Sequence, residues 1–77
     1  MEPEVERYPH QFGHEYAWVY QGKILGTVAP IRKGQPTKWR AMVNSRVVGV
    51  YTGANGRVVA MQAVRHFSKH MWCKVQS

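Results

Sequence analysis

Acidic residues are missing from most of this chain. No aspartate or glutamate occurs between Tyr16 and Ser77, although all but one of the 11 lysines and arginines lie there. The four acids are Glu2, Glu4, Glu6 and Glu15. Catalytic carboxylate pairs, Mg²⁺ sites and carboxylate-based nuclease centres therefore cannot be built from the rest of the chain. A positive field of this kind attracts phosphates or a strongly acidic protein.

Cysteine and long apolar runs are also scarce. Cys73 is the only cysteine, so no disulfide can form within one chain, which is typical of a reducing compartment. The apolar stretches are only a few residues long, so we expect no transmembrane helix. The acidic, proline-containing start of the chain is unlike a signal peptide. These features predict a soluble cytoplasmic protein that does not act on a membrane.

The length of the chain bounds its fold. A domain of 77 residues needs large side chains for its core, and 3 Trp, 4 Tyr and 2 Phe supply them. Residues 1–15 mix proline, glycine, histidine and charge without periodicity, so we expect a flexible acidic leader there. Residues 16–77 are then expected to form a single basic domain of sheet and helix.

An internal repeat organises the middle of the chain. Residues 19–28 and 42–51 follow the same pattern. Each has two apolar residues, two turn residues, a cation, two aliphatic residues, a glycine and then further strand formers. The two turn pairs suit two-residue hairpin loops, and their flanks are rich in β-branched and aromatic residues. The repeat therefore predicts two hairpins, with strands at 16–20, 23–30, 38–44 and 46–52.

Each half of the repeat places a glycine inside its second strand. Gly26 and Gly49 occupy matching positions. A glycine inside a strand usually marks a bulge or the close approach of another element. We expect the approaching element to be the helix that follows.

After residue 56 the apolar spacing changes from strand to helix. Ala60, Val64, Phe67 and Met71 recur at helical intervals and predict an amphipathic helix over 56–73. Its exposed side is expected to carry Arg57, Gln62, Arg65, His66 and Lys69. The predicted fold is α+β, an antiparallel four-stranded sheet of two hairpins packed on one C-terminal helix.

The predicted sheet offers a candidate surface for nucleic acid. Strand alternation puts Trp39 and Arg40 on opposite sides, so Arg40 points outward if Trp39 packs on the helix. A small sheet fits the major groove, where Arg reads guanine and Lys holds phosphates. Scattered solubilising charges are the plainer interpretation. The candidate nucleic-acid-binding residues are Lys23, Arg32, Lys33, Lys38, Arg40 and Arg46.

Other site chemistries are less well supported by the sequence. His66, His70 and Cys73 share a helical face at a spacing that suits Zn²⁺. Cationic histidines near a helix C-terminus and a half-buried cysteine explain the same residues. No aspartate completes a nucleophile–base set, and there is no phosphate-binding glycine motif. We therefore expect no enzyme activity, no metal, no cofactor and no small-molecule ligand.

Three parts of the chain carry a recognisable pattern, namely KWRAMV at 38–43, VGVYT at 48–52 and an alanine-containing helix. This pattern resembles the AP2 and integrase arm-binding type of module, in which a three-stranded sheet packs on a helix and inserts its open face into the DNA major groove. The resemblance implies an outward DNA-reading role for Arg40. It implies structural roles for Trp39, Ala41, Gly49 and Tyr51. In size and style the chain also resembles small phage- or plasmid-encoded proteins, including anti-CRISPR inhibitors.

The sequence thus favours one function and leaves others open. We expect a non-enzymatic module that binds nucleic acid, with double-stranded DNA favoured, through the basic sheet face. The alternative is a phage- or plasmid-type inhibitor or adaptor that docks its basic face on an acidic surface of a host protein. RNA binding is a third interpretation, in which an A-form major groove would exclude the sheet.

Overall fold

The computed structural model describes residues 2–32 and 37–73 and contains one sheet covered on one side by helix. The sheet is antiparallel, and its five strands follow one another in chain order. The strands are β1 (Glu4–His10), β2 (Gly13–Tyr20), β3 (Lys23–Pro30), β4 (Lys38–Val43) and β5 (Arg46–Thr52). Two helices follow, α1 (Gly56–Phe67) and α2 (Lys69–Trp72). The predicted antiparallel sheet packed on a C-terminal helix is confirmed.

The sheet has five strands, so the prediction of four is wrong by one strand. The additional strand is β1, which lies in the segment expected to be a flexible leader. Every residue from Glu4 to His10 pairs with β2, which itself begins at Gly13. Sequence reasoning missed β1 because charges and Pro9 weaken the usual strand pattern. An edge strand tolerates both, since one side of its backbone needs no partner.

Two tight hairpins confirm the internal repeat. Gln21 and Gly22 connect β2 to β3 with φ values of 51° and 78°. Asn44 and Ser45 connect β4 to β5 with φ values of 52° and 63°. Two consecutive positive φ angles define the type I′ turn, whose twist matches that of the flanking strands. Because each loop has two residues, the strand residues on either side of it pair directly.

The second strand of each hairpin contains a bulge immediately before its glycine. In β3 the register shifts at Leu25, and in β5 it shifts at Val48. A Cβ on Gly26 would lie 2.4 Å from the Met42 carbonyl oxygen and 2.6 Å from Val64 Cγ1 of α1. The absence of a side chain at residue 26 therefore lets the helix lie directly on the sheet, as the sequence predicted. At Gly49 that prediction is wrong, because the neighbouring group there is the Tyr51 side chain rather than the helix.

The helix is interrupted once, so the prediction of a single helix over 56–73 is corrected to two. α1 ends at Phe67, and Ser68 is fully buried at the junction with α2. The Arg65 carbonyl accepts hydrogen bonds from the Ser68 hydroxyl (3.3 Å) and from the Trp72 indole N–H (3.1 Å). These side-chain donors satisfy a carbonyl at the helix end, which replaces the regular backbone bond there. Among the described residues, no helix is long and apolar enough to cross a membrane.

The hydrophobic core lies between α1 and the strands that it mainly contacts, β3, β4 and β5. Val28, Ala41, Val43, Ala60, Met61 and Val64 form the buried cluster. Trp18 anchors α1 to β2 by donating its indole N–H to the Met61 carbonyl over 2.6 Å. A buried indole needs such an acceptor, so this bond fixes the position of the helix over the sheet.

Candidate nucleic-acid interface

The sheet has two chemically different sides. Trp39, Ala41 and Val43 of β4 face α1, so the alternate residues Lys38, Arg40 and Met42 face away from it. We call the first the helix side and the second the open face. Residues that are paired across strands point to the same side, which extends this assignment from β4 through the whole sheet.

Lys38 and Arg40 are the two predicted site residues that lie on the open face. Both are exposed, and Arg40 points away from the helix as the alternation with Trp39 predicted. Arg32 is exposed in the loop that follows β3, beyond the same end of the sheet. Lys33 lies outside the described residues. The described cations Arg32, Lys38 and Arg40 lie at or just beyond one end of the open face rather than at its centre.

Lys23 and Arg46 lie on the helix side, at the opposite end of the sheet. Arg46 pairs with Val43, which is buried beneath α1. Lys23 pairs with Tyr20 and lines a cleft with Met71 of α2. The six candidate residues therefore do not share one surface. The length of β4, about 16 Å from Lys38 to Val43 at the usual rise per residue, separates the two groups.

The open face is not a basic surface, because strand β1 brings carboxylates onto it. Glu4 and Glu6 of β1 pair with Val19 and Ala17 of β2. Glu15 lies two residues before Ala17 on β2, so its side chain points to the same side of the sheet. The Tyr8 hydroxyl donates a hydrogen bond to Glu6. That bond and the nearby charges of Glu6 and Glu15 raise the pKa of Tyr8, which fits a shared acidic edge. The open face thus carries three carboxylates and two cations.

The helix side carries most of the positive charge. Its described cations are Arg7, Lys23, Arg46, Arg57, Arg65 and Lys69. Arg7 belongs here because it pairs with Tyr16, whose ring packs against the core under α1. Among the described residues, Glu2 is the one carboxylate on this side, and it forms an ion pair with Arg65. The helix side is therefore the strongly positive surface of the molecule.

Aromatic rings hold two of these arginines in place. The Arg57 guanidinium lies 4.8 Å from the centre of the Tyr16 ring, and that of Arg65 lies 4.5 Å from the Trp72 ring. Stacking on a ring restricts the guanidinium without neutralising it. The two rings are in turn covered by the cations, so they are not open platforms for stacking bases.

Only some of the helix-side cations could be predicted from the sequence. The helical spacing placed Arg57, Arg65 and Lys69 on the exposed side of the helix, but they were not assigned to the site. Arg7 was missed because its strand was not recognised. The sheet side of Arg46 could have been predicted from sequence. A two-residue turn makes Val43 and Arg46 pair, and strand alternation puts Val43 on the same side as Trp39.

The histidine and cysteine group near the end of the chain does not form a ligand cluster. The turn at Ser68 interrupts the helix on which His66, His70 and Cys73 were expected to share a face. Across residues 2–32 and 37–73, no group of three or more His, Cys, Asp or Glu side chains is placed to hold a metal ion.

Comparison with protein-family models, with curated proteins and with solved structures found no match. The resemblance to AP2 and integrase arm-binding modules therefore remains an expectation. Strands β3 to β5 followed by α1 have the element order that this resemblance implies. The strands β1 and β2 add an acidic border to the open face, which is the face that would meet DNA in that family.

Proposed function

We propose that this chain is a non-enzymatic nucleic-acid-binding module that presents its helix side, rather than its open sheet face, to the phosphate backbone. The observation that carries the proposal is the division of charge, six cations with one carboxylate on the helix side. Double-stranded DNA is the favoured partner. Phosphate contacts of this kind supply affinity without reading sequence.

The dimensions of the helix side suit a short stretch of duplex. The 12 residues of α1 extend over about 18 Å. Along such a distance one DNA strand presents about five phosphates, since its charges are spaced at 3.4 Å along the axis. Five helix-side cations remain after Arg65 has paired with Glu2, of which Arg57 lies on α1 and the other four lie on the strands and on α2 around it. Neutralising five phosphates predicts a log–log salt slope of about −4.5.

The arginines on aromatic rings favour a duplex over a single strand. Single-strand binders stack bases on exposed rings between their cations. Here Tyr16 lies under Arg57 and Trp72 lies under Arg65, so neither ring is presented to the ligand, and the Arg57 guanidinium is available to it. The surface is thus suited to charge recognition of a rigid backbone.

Two variants with equal net charge test which side binds. The first removes three helix-side cations with Lys23→Gln, Arg46→Gln and Lys69→Gln. The second removes three cations at the open face and its adjoining loop with Arg32→Gln, Lys38→Gln and Arg40→Gln. All six residues are exposed, so both variants are expected to keep the fold. Fluorescence anisotropy with a random-sequence DNA duplex is measured over a salt series for each.

The expected result is a selective loss in the first variant. Its salt slope falls by about 2.7, because three phosphate contacts are removed, whereas the second variant keeps a slope near that of the wild type. The reverse pattern would return the site to the sheet face. Tight binding to an acidic protein with a shallow salt slope, and none to duplex at low salt, would favour the inhibitor or adaptor interpretation. An RNA duplex of equal length shows whether the partner is DNA or RNA.

A further inference from the structure

The open face is a sheet surface that exposes several aliphatic side chains. Within the described residues, both helices pack on the helix side and nothing covers the opposite side. Ile24, Val47 and Val50 lie on this face and expose 56%, 54% and 49% of their surface. Clustered exposed aliphatic side chains on a small protein usually mark an interaction surface.

The charges of the open face are arranged symmetrically about β3. Tyr8 of β1 pairs with Glu15 of β2, and Ala29 of β3 pairs with Arg40, which in turn pairs with Val50 of β5. Continuing the β2–β3 register by one residue beyond the Tyr16–Val28 pair sets Glu15 beside Ala29, which gives one cross-strand row from β1 to β5. Ala29 stands at its centre, with a carboxylate on the strand to one side and a guanidinium on the strand to the other. No ion pair joins Glu15 and Arg40 within the described part of the chain. A half-turn about an axis parallel to β3 would therefore bring the carboxylate of one copy of this row opposite the guanidinium of another copy.

The next row shows the same property in size rather than charge. It runs Glu6, Ala17, Thr27, Met42 and Val47. Thr27 of β3 is at the centre, with the small Ala17 on one side and the long Met42 on the other. Ala17 is only 1% exposed, so neighbouring side chains cover its methyl group, whereas Met42 is half-buried. A flexible thioether side chain adapts well to the surface above such a small residue.

We propose that the open face binds the open face of a second copy of this chain, in a dimer with its two-fold axis parallel to the strands. This rotation keeps each row in place and exchanges the two sides of β3. It sets Glu15 of each protomer over Arg40 of the other, and Met42 of each over Ala17 of the other. Both contacts occur twice, as an isologous interface requires.

The area of the face is sufficient for a reversible dimer. Five strands at about 4.8 Å spacing and seven residues at about 3.3 Å give roughly 550 Å² per protomer. The total of roughly 1,100 Å² lies just below the range for stable specific interfaces and in that of weak, transient ones. The small residues along β3, Ala29 and Thr27, allow the two sheets to approach. The dimer should accordingly form in a concentration-dependent manner.

Charge reversal provides a test that contains no nucleic acid and is therefore independent of the proposed function. Sedimentation velocity over a concentration series is expected to show a monomer–dimer equilibrium for the wild type. Glu15→Arg alone and Arg40→Glu alone each weaken dimerisation by about tenfold or more, because each creates two like-charge contacts per dimer. The double variant Glu15→Arg/Arg40→Glu restores it, because both pairs are again opposite in sign.

A mixture of the two single variants gives the sharpest result. The proposed two-fold axis pairs residue 15 of one protomer with residue 40 of the other, so the mixed dimer has only opposite charges in contact. We expect a heterodimer from the mixture although neither variant dimerises well by itself. Circular dichroism of each variant checks that the sheet is retained.

Three outcomes would overturn the proposal. A wild-type protein that stays monomeric at the highest concentration has no such interface. A double variant or a mixture without recovery places residues 15 and 40 apart. If a DNA duplex binds the wild type and loses that binding with Arg40→Glu but not with loss of helix-side cations, the open face belongs to nucleic acid.

Discussion

The contact between Gly26 and α1 can be tested by adding one methyl group. In Gly26→Ala the new Cβ would begin 2.4 Å from the Met42 carbonyl oxygen, whereas real Cβ contacts below 3.0 Å are essentially never seen. The carbonyl belongs to the neighbouring strand, and Val64 on α1 closes the other side at 2.6 Å. To reach 3.0 Å, β3 and β4 must move apart by about 0.6 Å and Val64 on α1 must withdraw by about 0.4 Å, the differences from 2.4 Å and 2.6 Å.

The expected cost is near the upper end for overpacking, about 3 kcal/mol in free energy of unfolding. For a domain of this length that corresponds to a fall in Tm of roughly 12–24 °C. Urea unfolding followed by tryptophan fluorescence measures it, since Trp18 and Trp39 both pack against the core. A Gly26→Ala midpoint equal to that of the wild type would refute the close sheet–helix contact.

Gly49→Ala is the matched control, because Gly49 has the equivalent place in the second hairpin. There the new Cβ meets the Tyr51 ring at 2.5–2.8 Å instead of backbone. A side chain can rotate away, so we expect a loss of about 1 kcal/mol, partly offset by the lower backbone entropy of alanine. A larger loss for Gly49→Ala than for Gly26→Ala would contradict the argument.

Three further predictions follow from single contacts. Glu2→Gln frees Arg65 from its ion pair, so stability should change by less than about 1 kcal/mol while the DNA salt slope becomes steeper by about 0.9; an unchanged slope places Arg65 outside the interface. Trp72→Phe removes the indole N–H that binds the Arg65 carbonyl, so urea unfolding should show a loss of about 1 kcal/mol, and no loss would mean that the bond is dispensable. Glu6→Gln should lower the pKa of Tyr8 in a spectrophotometric titration, because the hydrogen bond to the Glu6 carboxylate raises that pKa in the wild type. A raised pKa in the folded state contributes stability at lower pH, and this contribution is lost as the phenol ionises. An unchanged titration would contradict the hydrogen bond between Tyr8 and Glu6.

The local structure of this fold could be predicted from sequence because its determinants are adjacent in the chain. The turn pairs Gln21-Gly22 and Asn44-Ser45 prescribe hairpins, and the glycine in each second strand marks the bulge beside it. The strands of both hairpins were accordingly predicted within three residues at each end. Strand β1 escaped, since a charged edge strand has little apolar alternation to recognise.

The site could not be predicted as well, because a side of the sheet is a property of register rather than of composition. Lys23 and Arg46 were grouped with Arg40 as cations near one surface, yet pairing places them opposite it. The open face could not be recognised as acidic at one border without β1, which alone brings Glu4 and Glu6 onto it. The number of charged residues is evident from the sequence. The acidic border of the open face is not, because it depends on the pairing of β1 with β2.

The order of strands has a consequence for the kinetics of folding. Each strand pairs only with the strand before or after it in the chain, so the sheet can assemble by successive closures of short loops. Such local topology is associated with rapid folding. The docking of α1 is different, because the bond from Trp18 to Met61 spans 43 residues. Once the strands have paired, however, only residues 53–55 separate α1 from β5, so the helix can dock on the sheet without closing a long loop. The fluorescence of Trp18 should report this docking after the hairpins have formed.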